Sequence, residues 1–369
     1  MKRAKKLILA IVLGVVGIVL VAAICFTCIY ASRLKTMATI EKITDYGDGY
    51  DLYRMSVAYD YSIEDLIAYG ISNDQDYADA VVKEVLPLLP ISIKVPDFGC
   101  SAFTLKADNG QVMMGRNYDF RYNTSAMLVY CAPKDGYKSV AFAALDNIKA
   151  NVADESIRTK LTCLTAPFCC LDGMNEKGVS IAVLTLDSEP TRQDSGKPKI
   201  VTSLVIRLVL DRAATTEEAV QLLRQYDMLA TSGRDYHFYI TDASGDGRIV
   251  EWDCDSPTRE MVVTPTRTVT NFFIMHRDKV TFDDDANGIY GHGLKRYVDI
   301  ENTLTNDPAV KETAWTALKN AAQKPGEKAT SNTQWSIVFN NTDLTLEFVL
   351  HQKWDDAQGY DLKINAMMP

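Results

Sequence analysis

"DFGCSAFTLKADNGQVMMGRNYDF", residues 97–120, sets a cysteine directly after a glycine and runs an alternating strand into Asp108-Asn109-Gly110. Asn-Gly between alternating runs is among the strongest short-range hairpin signals. The return strand ends in Gly115-Arg116-Asn117-Tyr118-Asp119, so a tight turn should fold Arg116 and Asp119 back beside Cys100. Gly99 permits unusual backbone angles and gives access to the peptide bond. A cut between Gly99 and Cys100 would leave one residue with both a thiol nucleophile and, in its α-amino group, a base of pKa about 8. A neighbouring arginine favours the thiolate, and a carboxylate can hold the α-ammonium through a charge-assisted bond. On this stretch alone the plain alternative stays open: a buried structural cysteine and a surface Arg-Asp pair. The histidines are His237, His276, His292 and His351, and none stands at a spacing that announces a Cys-His pair.

Outward from the hairpin, residues 32–99 form a mixed helical segment. Ser62 followed by Glu64-Asp65 suggests a capped first turn, and Pro87, Pro90 and Pro96 interrupt its end. Downstream, "GMNEKGVSIAVLTL" reads as a turn and a strand. "VTSLVIRLVLDRAATTEEAVQLLRQY" reads as a helix in two parts, the second capped by Thr215 or Thr216. "DYHFYITDASGDGRIVEW" is a hairpin turning at Ser244–Gly247. "MVVTPTRTVTNFF" gives two short strands, "YGHGLKRYVDIENTLTN" begins a helix, and "TQWSIVFNNTDLTLEFVLHQKW" makes two strands around Asn340-Asn341. Strands in runs with helices between them point to α+β with antiparallel sheets rather than to a βαβ repeat.

The first 31 residues differ from the rest. Lys2, Arg3, Lys5 and Lys6 (residues 1–6 forming a basic tail) precede an uncharged apolar run over residues 7–31. About 20 apolar residues suffice to cross a bilayer as a helix, so the run is read as an uncleaved transmembrane anchor. A cleaved signal peptide ending near Val21-Ala22-Ala23 is the rival. Positive charge before the run places the N-terminus in the cytoplasm and the remainder outside it. The protein is then a single-pass protein of the cell membrane. The net charge of −9 over 369 residues argues against a nucleic-acid partner, which would call for basic surface. The cysteines outside the run (Cys100, Cys131, Cys163, Cys169, Cys170 and Cys254) match no zinc pattern and read mostly as small buried hydrophobes. "DDDANG", residues 283–288, imitates the start of an EF-hand loop, but its twelfth position is Leu294 where the bidentate ligand belongs; it reads as a solvated acidic loop. "YGHGLK" is too short a glycine pattern to imply phosphate binding. Tyr118 and Phe120 read as core, with an acyl pocket as the alternative.

The Cys100 stretch resembles the start of the choloylglycine hydrolase family, the linear amide C-N hydrolases of the N-terminal-nucleophile class. Bile salt hydrolases and penicillin V acylases belong to it, and acyltransferases of the penicillin pathway and acid ceramidase-like amidases are related. The similarity continues in order through "DGMNEKGVSIAVLTL", "LDRAATTEEAVQLL", "YITDASGDGRIVEW", "TVTNFF" and "GHGLKRYVDI". It implies a four-layer αββα sandwich over residues 100–369 and hydrolysis of non-peptide C–N amide bonds, with bile salts or N-acyl amides as substrates. It implies Cys100 as nucleophile, Arg116 beside it, and Asp119 against the α-amino group. It also implies Asn271 as an oxyanion donor and Arg296 as a second active-site arginine. Thr185 falls where bile salt hydrolases carry an asparagine, which is a departure from the pattern. A second departure is the 99 residues ahead of the cysteine. The related acyltransferases and ceramidase-like amidases carry such a propeptide and release it by a cut before the cysteine. The expectation is therefore a cysteine amidohydrolase without metal or organic cofactor. It acts on a small-molecule amide and contacts the membrane through its N-terminal helix, with self-association left open. An acyltransferase using the same thioester, or an inactive anchored binding protein, are the alternatives.

Overall fold

The Asn109-Gly110 turn closes as its sequence requires. Gly110 takes φ +84° and donates its N–H back to the Ala107 carbonyl, a conformation that favours glycine. It joins strands Gly99–Lys106 and Val112–Asp119 in antiparallel register, Cys100 opposite Tyr118 and Ala102 opposite Arg116. In this computed structural model, which describes residues 2–89, 91, 99–151, 153, 156–328 and 330–368, the hairpin seeds a seven-stranded antiparallel sheet. Its order is 268–269, 99–106, 112–119, 333–340, 345–350, 358–361 and 366–368.

A nine-stranded sheet lies against it, ordered 41–42, 52–56, 126–131, 139–144, 170–175, 180–186, 235–241, 247–252 and 261–265. The two sheets meet where strand Gly99–Lys106 packs on Ser180–Leu186. Helix Thr202–Arg212 covers the outer face of the nine-stranded sheet through strands 170–175 and 180–186, and it is buried almost all round. Helix Thr216–Leu223 follows it and is capped by Thr215, whose side chain accepts from the Glu218 N–H. Helices Leu294–Asn306 and Lys311–Ala321 cover the outer face of the other sheet. Thr313, Ala314, Ala317, Leu318 and Ala321 make the inward stripe of the second of these, the i, i+3/i+4 spacing of a helix lying on a core. Phe103, Leu105 and Met113 of the hairpin meet that stripe, each burial contributing roughly 1.5–3 kcal/mol.

Two expectations are corrected. The sheets are not wholly antiparallel: strand Leu52–Ser56 pairs in parallel with Ala126–Cys131, because the chain leaves one sheet, builds the Cys100 hairpin in the other, and only then returns. Segment 32–99 is also more than helical. It contains helix Ile63–Ala68, capped by Ser62 through the Asp65 N–H, and helix Asp74–Val85, but also those sheet strands. Tyr59 and Tyr77 anchor it further by donating their hydroxyls to the carbonyls of Leu164 and Phe168. Pro90 and Pro96 lie outside the described residues.

The apolar N-terminal run forms one helix, Lys2–Met37. Its portion from Ile11 is long and apolar enough to cross a membrane. The side chains of residues 2–10, and of Ala22 and Cys25, lie outside the description. The last turns bind the folded body: Thr36 is fully buried, and Arg33 donates to the carbonyls of Val85 (2.7 Å) and Glu84 (3.0 Å).

Candidate active site

Strand alternation sorts the hairpin's polar residues onto two faces. Arg116 shares a face with Cys100 and points at the nine-stranded sheet. It lies against the Cys100 thiol, donates Nε to Asp172 Oδ2 (3.2 Å) and donates Nη2 to the Val183 carbonyl (3.1 Å). Asp119 faces the helix layer, where it accepts from Arg296 Nη1 (3.0 Å) and from the Thr333 hydroxyl (2.6 Å). Arg296 sits in the first turn of helix Leu294–Asn306, placed by Gly291 at φ +100° and Gly293 at φ +90°. A Cβ on Gly291 would stand 2.1 Å from the Asn271 carbonyl oxygen, so glycine is needed for the close approach of the two segments.

Asn271 joins the parts. Its Oδ1 accepts from the Cys100 N–H (3.3 Å) and from Arg296 Nη2 (2.6 Å), and its Nδ2 donates to the Thr185 carbonyl (2.9 Å). Arg296 Nη1 also donates to the Cys100 carbonyl (3.1 Å). All six residues singled out in the sequence therefore meet around one cysteine. Cys100, Arg116, Asp119, Thr185 and Asn271 are fully buried and Arg296 nearly so.

Two details differ from the roles the resemblance implies. The Cys100 nitrogen, still an amide in the uncut chain, bonds Asn271 rather than Asp119. The Thr185 hydroxyl turns to the Asp235 carbonyl (3.4 Å), so this residue serves the cluster through its carbonyl, which holds Asn271. One N–H of the Asn271 amide is thus spent on Thr185. The other carries no bond among the described residues.

The electrostatics are those of a closed site. Burial pushes the Cys100 thiol up to about 12 against the lowering influence of Arg116, with Asp119 adding to the rise. Burial likewise raises Asp119, opposed first by Arg296. Asp172 is pushed up to about 6, burial outweighing Arg116 and the Trp335 N–H that donates to it at 3.1 Å. Desolvation disfavours every charged form here, and the paired cations, with the Thr333 and Trp335 hydrogen bonds, offset it only in part.

Sequence reasoning missed Asp172, His237 and Glu251. Asp172 stands in the middle of Cys170–Asn175, a strand buried throughout; a carboxylate in such a strand needs a buried cation, and that was the available signal. His237 Nδ1 lies 3.0 Å from Glu251 Oε1 and its Nε2 lies 3.0 Å from the Thr270 carbonyl. Glu251 also accepts the N–H groups of Ile274 and Met275, so this buried pair braces the segment bearing Asn271. Tyr118 and Phe120 belong to an aromatic cluster in which the Tyr118 and Trp335 centroids are 4.2 Å apart. The acidic loop is not merely solvated, since Asp284 Oδ1 accepts the Gly293 N–H (2.9 Å) and steadies the start of the Arg296 helix.

This arrangement, a glycine-preceded cysteine at a strand start between two arginines and two carboxylates, sits in a mixed α/β fold shared with known amide hydrolases. The solved structures that match it include three of known amide hydrolases. Penicillin V acylase from Agrobacterium tumefaciens matches over 72% of this chain and 86% of its own, with TM-score 0.51 and 19% identity. A mutant of the conjugated bile acid hydrolase from Clostridium perfringens matches over 73% and 95%, with TM-score 0.53 and 16% identity. A second variant of that hydrolase matches over 72% and 94%, with TM-score 0.52 and 16% identity. In sequence, the penicillin V acylase of Pectobacterium atrosepticum is 34% identical over 92 residues, a stretch spanning 22% of this chain and 24% of that relative. Residues 100–261 match the family described as linear amide C-N hydrolases, choloylglycine hydrolase family. That match begins at Cys100 itself.

Proposed function

We propose that the protein is a cysteine amidohydrolase of linear amides, made as a latent precursor and activated by a cut between Gly99 and Cys100. The observation that carries this reading is the convergence of Asn271, Arg296, Asp119 and Arg116 on Cys100. In the uncut chain the thiol is buried and held protonated, as suits a precursor. The cut turns the Cys100 amide nitrogen into an α-amine, held between Asn271 Oδ1 and the Asp119–Arg296 pair. The amine takes the thiol proton as sulfur attacks the amide carbonyl. Arg116 stabilises the negative charge on sulfur, and the uncommitted N–H of Asn271 donates to the oxyanion that forms. Collapse breaks the C–N bond, and the leaving amine receives its proton from the α-ammonium. Water, deprotonated by the same α-amine, then releases the acid from the thioester. No step calls on a metal or cofactor.

In this reading residues 100–369 make the four-layer αββα catalytic domain and 32–99 a propeptide. Residues 7–31 anchor it in the membrane behind a cytoplasmic tail of residues 1–6, with the catalytic domain outside. Penicillin V acylases and conjugated bile acid hydrolases act on acyl amides, so conjugated bile salts, penicillin V and other N-acyl amines form the substrate panel. The test pairs intact-mass measurement with that panel. The parent should lose residues 1–99 from its catalytic chain, hydrolyse at least one amide, and carry a trapped acyl group on Cys100. Cys100→Ser should be crippled. Full activity in Cys100→Ser overturns the proposal.

A further inference from the structure

A second cluster of potential ligand side chains lies outside the Cys100 network. Strand Gly247–Trp252 runs into Asp253-Cys254-Asp255, and the short 3-10 segment Ile274–Lys279 brings His276 against it. One ligand atom each from Asp253, Cys254 and His276 lie within 4.8 Å of one another. His276 Nε2 stands between two carboxylates, 2.9 Å from Asp253 Oδ1 and 3.7 Å from Asp255 Oδ2. The cluster therefore offers oxygen, sulfur and nitrogen donors together, where an ordinary acidic patch offers oxygen alone.

We propose that Asp253, Cys254 and His276, with Asp255 as fourth donor, form a binding site for a borderline-soft divalent cation of the zinc type. Thiolate, imidazole and carboxylate are the ligand set such an ion selects, and a hard cation such as calcium would not favour the sulfur. The fit is close. Zinc bonds of about 2.0–2.3 Å in a tetrahedron set donor atoms roughly 3.3–3.6 Å apart. The His276–Asp253 pair must open by a few tenths of an ångström, the Cys254 sulfur, within 4.8 Å of both, must close by about 1.3 Å at most, and Asp255 already stands 3.7 Å from His276 Nε2.

Charge also balances. Two carboxylates and a thiolate carry three negative charges. A divalent cation and Lys279, already paired with Asp255, carry three positive ones. Binding would require the Cys254 thiol to give up its proton. Support around the donors is in place. Tyr290 donates its hydroxyl to Asp255 (3.1 Å), and the His276 ring packs edge-on to Phe273 and Tyr290, with centroids 5.9 and 5.3 Å away. Such outer contacts fix ligand orientation. The site ties the end of one strand to the segment five residues past Asn271, the two being already joined through Glu251. An ion here would stiffen the active-site wall without touching the substrate.

The experiment measures binding rather than turnover. The full chain, carrying Cys100→Ser so that the proposed nucleophile cannot hold the metal, is stripped with chelator, loaded with Zn²⁺ in detergent, dialysed and assayed for bound metal. One equivalent per chain is expected, with a raised melting temperature. Co²⁺ loading should give a thiolate-to-metal charge-transfer band. Adding Cys254→Ser or His276→Gln, substitutions on two separate segments, should each weaken zinc binding by at least about 100-fold. The cobalt band should vanish with Cys254→Ser. No retained zinc in the parent, a cobalt spectrum without the thiolate band, or unchanged stoichiometry in both variants overturns the proposal.

Discussion

Replacing Asp172 by asparagine strands the guanidinium of Arg116 in the core. The two charges sit 3.2 Å apart with neither side chain exposed. At an effective dielectric of about 20, that separation corresponds to an attraction of ~5 kcal/mol. Yet Asp172 titrates near 6, above the ordinary carboxyl value, so desolvation exceeds what the partner returns. A pair in this regime is costly to break and cheap to remove whole. Asp172→Asn should destabilise by about 3–5 kcal/mol, since arginine cannot shed its charge. Arg116→Met should cost a similar amount at pH 8 and less at pH 5, where the abandoned carboxyl takes up a proton. The double variant should cost no more than either single, and asparagine still accepts from the Trp335 N–H. The assay is urea unfolding followed by tryptophan fluorescence, with every variant carrying Cys100→Ser so that all chains remain uncut. If the double variant's loss equals the sum of the singles to within about 0.5 kcal/mol, the two groups are energetically independent and the reasoning fails.

The same carboxyl sets a pH trend. Its folded value lies above its unfolded one, so its contribution is greatest below about 3.9 and is lost as pH rises through about 6; Asp172→Asn should flatten that part of the stability profile. Asn271→Ala removes the proposed oxyanion donor and should lower kcat by about 10²–10³, read from initial rates on whichever amide is turned over. Gly293→Ala puts a methyl 2.7 Å from Arg296 Nη2 at a residue with φ +90°. The displaced guanidinium should cost turnover up to about 100-fold, and an unchanged kcat would show that Arg296 needs no fixed position. After the proposed cut, segment 32–99 should elute with the catalytic chain from size exclusion in detergent, because its strand Leu52–Ser56 is paired along its length with Ala126–Cys131.

The hairpin was legible because Asn109-Gly110 allows few alternatives, and its register delivers Arg116 and Asp119 to Cys100. The caps at Ser62 and Thr215 could be read for a similar local reason. Asn271, Thr185 and Arg296 came from family resemblance, since nothing local shows that residues 86 and 25 positions from Asn271 would bond it. Strands Ala126–Cys131 and Ser139–Ala144 escaped notice because both are covered on two faces, and such strands lose the alternation that marks a half-buried one. Asp172 escaped for a related reason. Its need for a cation becomes visible only when the strand around it is known to be dry. Strand Leu52–Ser56 lay in a segment whose helical spacing dominated the reading.

The long N-terminal helix enters the folded body with no linker between them. Arg33 and Thr36 are locked to residues 84–85 and into the core within the helix's own final turns. In a bilayer, this join would work as a mast rather than a leash. The folded body could neither drift away from the surface nor swing freely above it, and the Cys100 cluster would keep one height and one heading. Molecules collected in that bilayer would meet it at a constant angle, while those dissolved in bulk would gain nothing from the mounting.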